Sequence, residues 1–281
     1  MMNMMTTNDN NDNTMQDHDQ YFDSNRQAWN LRTEIHKTSA FYDVEQWKKG
    51  GNSLTAIELK ELGNEVKGKK MLHLQCHFGQ DTMSWARLGA EVTGCDLSDK
   101  AIDYARQLAG ELDIPAQFVC CNVYELPENL DDRFDIVFTS YGTIGWLPDL
   151  DRWAGVIDHF LRPGGFFYIA DFHPVVWMFD EEMAAFKYPY HNSGVIETEN
   201  TGSYADRYAD ISYKDYGWNH SLSEVINSLA RRGMRIEFLN EYPFSPFDCF
   251  SNTVKGEDGN YRIRGLEGII PMVYSLKAIK P

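Results

Sequence analysis

The groups best suited to chemistry are concentrated between Met71 and Ser98. An apolar strand, Met71–Gln75, runs through Cys76-His77-Phe78 into a tight loop at Gly79. A helix over Asp81–Leu88 follows, and a second strand, Glu91–Asp96, ends on a carboxylate beside Leu97. This is a βαβ unit whose acid stands where it can grip a ribose diol. A dinucleotide loop needs glycine at three places so that its backbone can close on a pyrophosphate. Counted from the end of the first strand, those places hold Gln75, His77 and Gln80. No strand is followed by Gly-Lys-Ser/Thr, so a phosphate-binding loop of the Walker type is also absent. The expected ligand therefore has a ribose but no phosphate in that crook, which weighs against a nicotinamide oxidoreductase.

The elements that position these groups follow from periodicity. Ser24–Lys37 reads as a mixed-face helix carrying Trp29 and His36 seven residues apart, on one face. Phe41–Lys49 suggests a short second helix ended by Gly50-Gly51, and Ser53 is expected to cap a third with Leu54, Ile57, Leu59 and Leu62 as its stripe. From Lys70 strands alternate with helices: after the first βαβ unit come a helix capped by Ser98, a strand in Pro115–Cys121, and Phe134–Ser140. A helix over Leu150–Leu161, stopped by Pro163-Gly164-Gly165, and the strand Phe166–Asp171 complete the alternation. Such alternation predicts a Rossmann-like, seven-stranded and mostly parallel sheet with helices on both faces and a final antiparallel strand. Right-handed crossovers then put the ligand crevice at the carboxyl ends of the strands. Gln75–Gly79, Asp96, Asn122 and Ser140-Tyr141 all fall there.

Residues 175–217 break the rhythm with nine Trp, Phe and Tyr side chains among Gly and acids, and read as an inserted cap with one hairpin. A helix capped by Ser221 and two strands, Arg235–Tyr242 and Met272–Ile279, close the chain. The expected organisation is a disordered tail over 1–20, a helical lid over 21–68, and a ligand-binding domain over 69–281 that carries the cap.

Forty-two acidic against 26 basic residues give a net charge of −16, which disfavours nucleic acid and anionic membrane surfaces as partners. No apolar stretch approaches the ~20 residues that span a bilayer. Met1–Gln20 has neither the basic start nor the apolar core of a signal peptide. The five cysteines form no CxxC pair and read as buried thiols in a reducing cytoplasm, with Cys76, Cys95 and Cys120 in or beside apolar runs. No His/Cys/Asp cluster has zinc spacing, so no metal site is expected.

S-adenosylmethionine meets the ligand requirements, with a ribose diol for an acid and an amino-acid tail for a loop at a helix N-terminus. At these motifs the chain resembles the class I S-adenosylmethionine-dependent methyltransferases that act on small molecules (the type 11/12-like group), from about Tyr21 to the C-terminus. Leu72-His73-Leu74-Gln75-Cys76-His77-Phe78-Gly79 is similar to their first motif, in which an acid precedes Gly-x-Gly-x-Gly. Asp96 matches the ribose acid, Cys121-Asn122-Val123 the adenine-contacting element, and Phe134-Asp135-Ile136-Val137 and Leu161-Arg162-Pro163-Gly164-Gly165 two later motifs.

The resemblance implies a cofactor site formed by His73, Gln75, Cys76, His77, Phe78, Gly79, Asp96, Leu97, Asn122, Val123 and Ser140, with S-adenosylhomocysteine as product. His73 replaces the acid and, if neutral, would accept from the methionine ammonium; Asn122 replaces an Asp and would face the adenine amine. His173, after strand five, is the candidate general base, and Tyr141 lines the acceptor side. Trp29, His36, Trp146, Trp218 and His220 are candidates for the lid or acceptor pocket. The expected activity is methyl transfer to a small molecule through O, N or C, by a monomer or homodimer. The alternative is a non-catalytic sensor of the same adenosyl ligands.

Overall fold

Short apolar strands joined by helices produce the expected layered sheet in the computed structural model, which describes residues 10–281, with side chains from His18 onward. Three helices come first: α1 (Asn10–His36), α2 (Val44–Lys48) and α3 (Ala56–Leu62). The alternating part comprises β1 (Lys70–Leu74), α4 (Gln80–Arg87), β2 (Glu91–Asp96), α5 (Asp99–Glu111), β3 (Ala116–Cys120), α6 (Leu126–Asn129), β4 (Phe134–Thr139), α7 (Leu150–Phe160) and β5 (Leu161–Phe172). The hairpin β6 (Ile196–Thr201) and β7 (Ser212–Gly217) precedes α8 (Leu222–Arg231) and β8 (Arg235–Tyr242). A second small hairpin, β9 (Thr253–Lys255) and β10 (Tyr261–Ile263), precedes β11 (Val273–Ile279).

The seven-stranded sheet has the order β3-β2-β1-β4-β5-β11-β8, and β11 runs antiparallel to both of its neighbours. The chain moves outward from β1 through β2 to β3, then returns to the other side of β1 as β4. That reversal opens a crevice at the carboxyl ends of β1, β2 and β4. Strand alternation splits the core in two. Leu72, Leu74, Val137, Phe167 and Ile169 pack with α7 and α8, while Met71, Ile136, Phe138 and Tyr168 pack with α3 and α4.

Four local expectations are corrected. The tail expected over 1–20 begins outside the described residues, but α1 already runs from Asn10 rather than from Tyr21. Tertiary contacts hold its early turns: the rings of His18 and Tyr21 lie 6.2 and 5.9 Å from that of Trp218. Thr55, not Ser53, caps α3, because only Thr55 has an acid three residues on to complete a capping box with Glu58. The Ser53 hydroxyl instead lies 2.9 Å from that of Ser84. Cys120 is exposed rather than packed, at the end of the edge strand β3. The β9–β10 excursion was not anticipated at all, since three-residue strands carry almost no alternation signal.

The hairpin in the cap does form, with Ile196–Thr201 paired to Ser212–Gly217. It packs against α1. Asn25 closes two 2.8 Å hydrogen bonds with Tyr216, donating to its carbonyl and accepting from its N–H, as a neighbouring strand would.

Candidate active site

A cavity of about 730 Å³ lies over the carboxyl ends of β1 to β4. Its floor carries His73, Gln75, Cys76, His77, Phe78, Gly79, Asp96, Leu97, Asn122, Val123 and Ser140, so all eleven residues expected around the cofactor line one space. Trp29, Tyr141 and Trp146 line it too. His36, Trp218, His220 and His173 do not.

The first loop explains its missing glycines. Gln75 (φ 55°), His77 (φ 51°) and Gly79 (φ 73°) all adopt left-handed backbone, so the positions where glycine is customary do require positive φ here. Three of the loop's N–H groups are also spent internally. Cys76 N donates to Cys95 O (2.8 Å), His77 N to Asp96 Oδ2 (2.7 Å) and Gly79 N to Cys76 O (2.9 Å). A pyrophosphate would find these three amides already engaged.

Asp96 accepts from the N–H groups of His77 and Ser98, which leaves lone pairs for a ligand hydroxyl. Burial raises its pKa to about 6, against the pull of those amides. Asn122 caps the following turn, its Oδ1 accepting from Tyr124 N at 3.1 Å. The Gln75 amide donates to Thr143 O, while its Oε1 finds no partner among the described residues.

His73 is not available in the way expected. Its Nδ1 lies 2.8 Å from Thr82 Oγ1 and its Nε2 3.3 Å from Ser140 Oγ, so both ring nitrogens are engaged. Burial lowers its pKa to about 3, as burial and then Arg32 do for His77, so both rings are neutral.

The expected base is misplaced. Phe172 faces the cavity, and His173, the next residue of an extended chain, takes the opposite side. There its Nε2 lies 2.9 Å from Glu241 Oε1 and its Nδ1 accepts from Val175 N. His220 is likewise structural, with Nε2 2.7 Å from Leu147 O and Nδ1 3.0 Å from Glu224. Trp218 packs beneath Tyr21 and is buried. His36 sits one layer behind the wall, 2.6 Å from Ser203 Oγ, and stays neutral because of burial, then His77 and Arg32. Tyr141 donates to or accepts from Thr55 Oγ1 at 3.0 Å, and burial with the nearby Glu58 acid keeps its phenol protonated.

The roof comes from elements whose role the sequence did not reveal. Arg32 of α1 pairs with Asp215 of β7 at 2.6 Å and donates to Tyr213 Oη at 2.9 Å. Its guanidinium lies 4.8 Å from the Trp29 ring, 5.1 Å from Trp146 and 4.5 Å from Tyr213. Thr198 and Asn200 also donate to Asp215, and Phe247, Cys249 and Phe250 of the second excursion complete the far wall. A lone Arg on a mixed-face helix carries no sequence signal of this kind, because its partner lies 183 residues away.

Behind the wall, Glu58 is 1 % exposed, with Oε2 accepting from Thr55 N and Oε1 without a partner among the described residues. Burial first, and the Asp81 carboxylate second, push its acid up to about 8 from 4.5. Above pH 4.5 the unfolded chain releases this proton while the folded chain keeps it. The unfolded state therefore gains as pH rises, until the folded acid also ionises near pH 8. Glu58→Gln, which preserves a capping-box acceptor, is expected to raise Tm, scarcely at pH 4.5 and most at pH 8. Thermal melts across that range check it; a gain that does not grow with pH would contradict the assignment.

The site thus combines a doubly wound sheet with one reversed strand, a buried carboxylate ending β2 and a first loop with three of its amides internally engaged. Residues 72–169 match the family described as Methyltransferase domain. An uncharacterised methyltransferase of Synechocystis sp. is 34 % identical over 135 residues, covering 47 % of this chain and 58 % of that protein. The ubiquinone biosynthesis O-methyltransferase of Proteus mirabilis is 30 % identical over 114 residues, covering 41 % and 46 %. The matches thus span about half the length of these relatives. Among solved structures, the glycopeptide N-methyltransferase MtfA complexed with S-adenosylmethionine shares the fold. Its TM-score is 0.54 at 16 % identity, over 82 % of this chain and 88 % of that one. The family match is confined to residues 72–169, and the likeness to the solved structure is one of fold.

Proposed function

We propose that this protein transfers a methyl group from S-adenosylmethionine to a small-molecule acceptor enclosed beneath α1 and the β6–β7 hairpin. One observation carries the reading: a single cavity joins the Asp96–Asn122 end, suited to adenosine, to a roofed aromatic chamber. The residues fit the cofactor. Asp96 has acceptor capacity for the ribose hydroxyls, Asn122 and Leu97 flank the adenine place, and Gln75–Gly79 form the bed for the remainder. When bound, the cofactor supplies an electrophilic methyl group on a sulfonium.

What the chain contributes is alignment and exclusion of water. The Arg32–Asp215 pair and Asn25 hold α1 and the hairpin together as a roof. Tyr141, Phe172, Trp177, Phe247 and Phe250 give the acceptor side an aromatic wall. The histidines in the wall, His73 and His77, are poor bases because burial keeps them neutral down to about pH 3. This favours an acceptor atom that already presents a lone pair and sheds its proton after transfer. Residues 21–68 serve as the lid and 175–217 as the cap in this reading. The O-methyltransferase and N-methyltransferase names of the relatives leave both acceptor atoms in play.

Isothermal titration with S-adenosylmethionine tests the cofactor. Asp96→Ala is expected to weaken binding roughly tenfold to a hundredfold, from the loss of hydrogen bonds to a charged acceptor. Unchanged affinity, or no binding by the wild type, would defeat the reading. Release of S-adenosylhomocysteine across an acceptor panel separates an enzyme from a ligand sensor.

A further inference from the structure

Arg32 is the sole Lys or Arg among the described residues of the cavity wall. It is held along one edge only. Its Nε donates to Tyr213 Oη at 2.9 Å and its Nη2 to Asp215 Oδ2 at 2.6 Å, while Nη1 donates to no described residue. Nor is Nη1 sealed in protein: the side chain keeps 9 % exposure, and it opens on the cavity that Arg32 lines. Asp215 has nothing left to offer that edge, because Thr198 and Asn200 take its Oδ1. The Trp29 and Trp146 rings cover the guanidinium at 4.8 and 5.1 Å, and an indole supplies no acceptor oxygen. The free edge, Nη1 with the second Nη2 proton, is therefore a planar fork held in place with its donors unused. A carboxylate is the group whose geometry meets both arms of such a fork.

Position separates this fork from the cofactor bed. Gln75–Gly79 and Asp96 lie on the floor, at the ends of β1 and β2, whereas Arg32 is anchored in the roof by Tyr213 and Asp215 of β7. Trp146, against the guanidinium, follows β4, and in the order β3-β2-β1-β4 that strand is the one remote from Asp96 and Asn122. The rest of the acceptor side is aromatic. The Phe172 ring lies 4.8 Å from Phe250 and 5.7 Å from Trp177, and Tyr141 lies 5.0 Å from Phe247. A largely apolar chamber with one fixed donor fork suits an apolar body that carries an acid, since a few placed polar groups set a ligand's orientation in such pockets. A cationic acceptor would meet like charge at the same point.

We infer that the methyl acceptor is an apolar molecule bearing a carboxylate, and that the free edge of Arg32 binds this group. The inference rests on the methyl-transfer reading above and names its substrate class. Arg32 is then a specificity residue: it selects the acceptor and fixes one end of it, with no proton or bond exchanged.

The test titrates benzoate, phenylacetate and 3-phenylpropionate, each against its own primary amide, into protein loaded with S-adenosylhomocysteine. Wild-type protein is expected to bind at least one acid about tenfold or more tighter than its amide, as for a charge-assisted bidentate contact. Arg32→Met with Asp215→Asn, which strands no charge, should bring that ratio to about one. Asp215→Asn alone breaks the same ion pair but keeps the guanidinium, and its amide oxygen still accepts from Nη2. It should retain the preference, which a purely structural role for Arg32 would not predict. No preference for any acid in the wild type, or a preference that survives in the double variant, overturns the assignment. So does a double variant that loses affinity for S-adenosylhomocysteine but not for 5′-methylthioadenosine, which lacks the amino-acid tail: the fork would then hold the cofactor's own carboxylate. Wild-type protein that binds neither thioether overturns the cofactor reading itself, an outcome distinct from a failure at Arg32.

Discussion

Arg32→Ala is expected to destabilise the roof of the cavity by about 3–5 kcal/mol, the usual cost of removing one partner from a buried ion pair. The physical reason is the carboxylate left behind. Asp215 is 3 % exposed, and without the guanidinium it keeps only the neutral donors Thr198 and Asn200. The Trp29, Trp146 and Tyr213 rings lose their stacked cation in the same step. Because the pair joins α1 to β7, the loss should appear first as undocking of α1. Limited proteolysis should cut α1 faster, and the urea midpoint should fall. Arg32→Met with Asp215→Asn together should cost clearly less than the sum of the single changes, since neither charge is then stranded. Additive costs would show that the pair is not energetically coupled.

Gly79→Ala is expected to cost roughly 2–5 kcal/mol, by adding left-handed backbone strain to overpacking. At φ 73° any L-residue is strained, and a Cβ there would lie 2.5 Å from Cε1 and 2.6 Å from Cζ of Phe118. Phe118 is buried in the cluster with Cys76, Phe78 and Ala105, so the ring has little room to retreat. The displaced loop also carries His77 N, which orients Asp96. Adenosyl-ligand affinity should therefore fall along with Tm. Phe118→Leu in the Gly79→Ala background is expected to restore part of both, because it removes the clash but not the backbone strain. No recovery of stability would mean that the clash is not the cause.

Gly79 and its neighbours show what was legible. The succession of strand, loop, helix and acid-ended strand is written in local alternation, and the later strands repeat it. The crevice follows from that alternation and from crossover handedness, while the full set of eleven floor residues was implied by the family resemblance. Gln75 and His77 were readable as departures, but not as left-handed residues: that φ is imposed by the ladder on one side and α4 on the other. His173 failed because adjacency to a strand end does not give side. One residue of extended chain reverses a side chain, and Phe172 took the cavity face.

The sequence by itself determined the layered sheet and the strand ends that form the crevice, because each depends on contacts within a few tens of residues. Tertiary structure decided the roof, the direction of each histidine and the pairing state of each carboxylate. Those depend on partners such as Arg32 and Asp215, 183 residues apart, that meet only when α1 and the hairpin dock. Charge compensation in a closed cavity is a property of the whole wall, and no stretch of chain carries it alone.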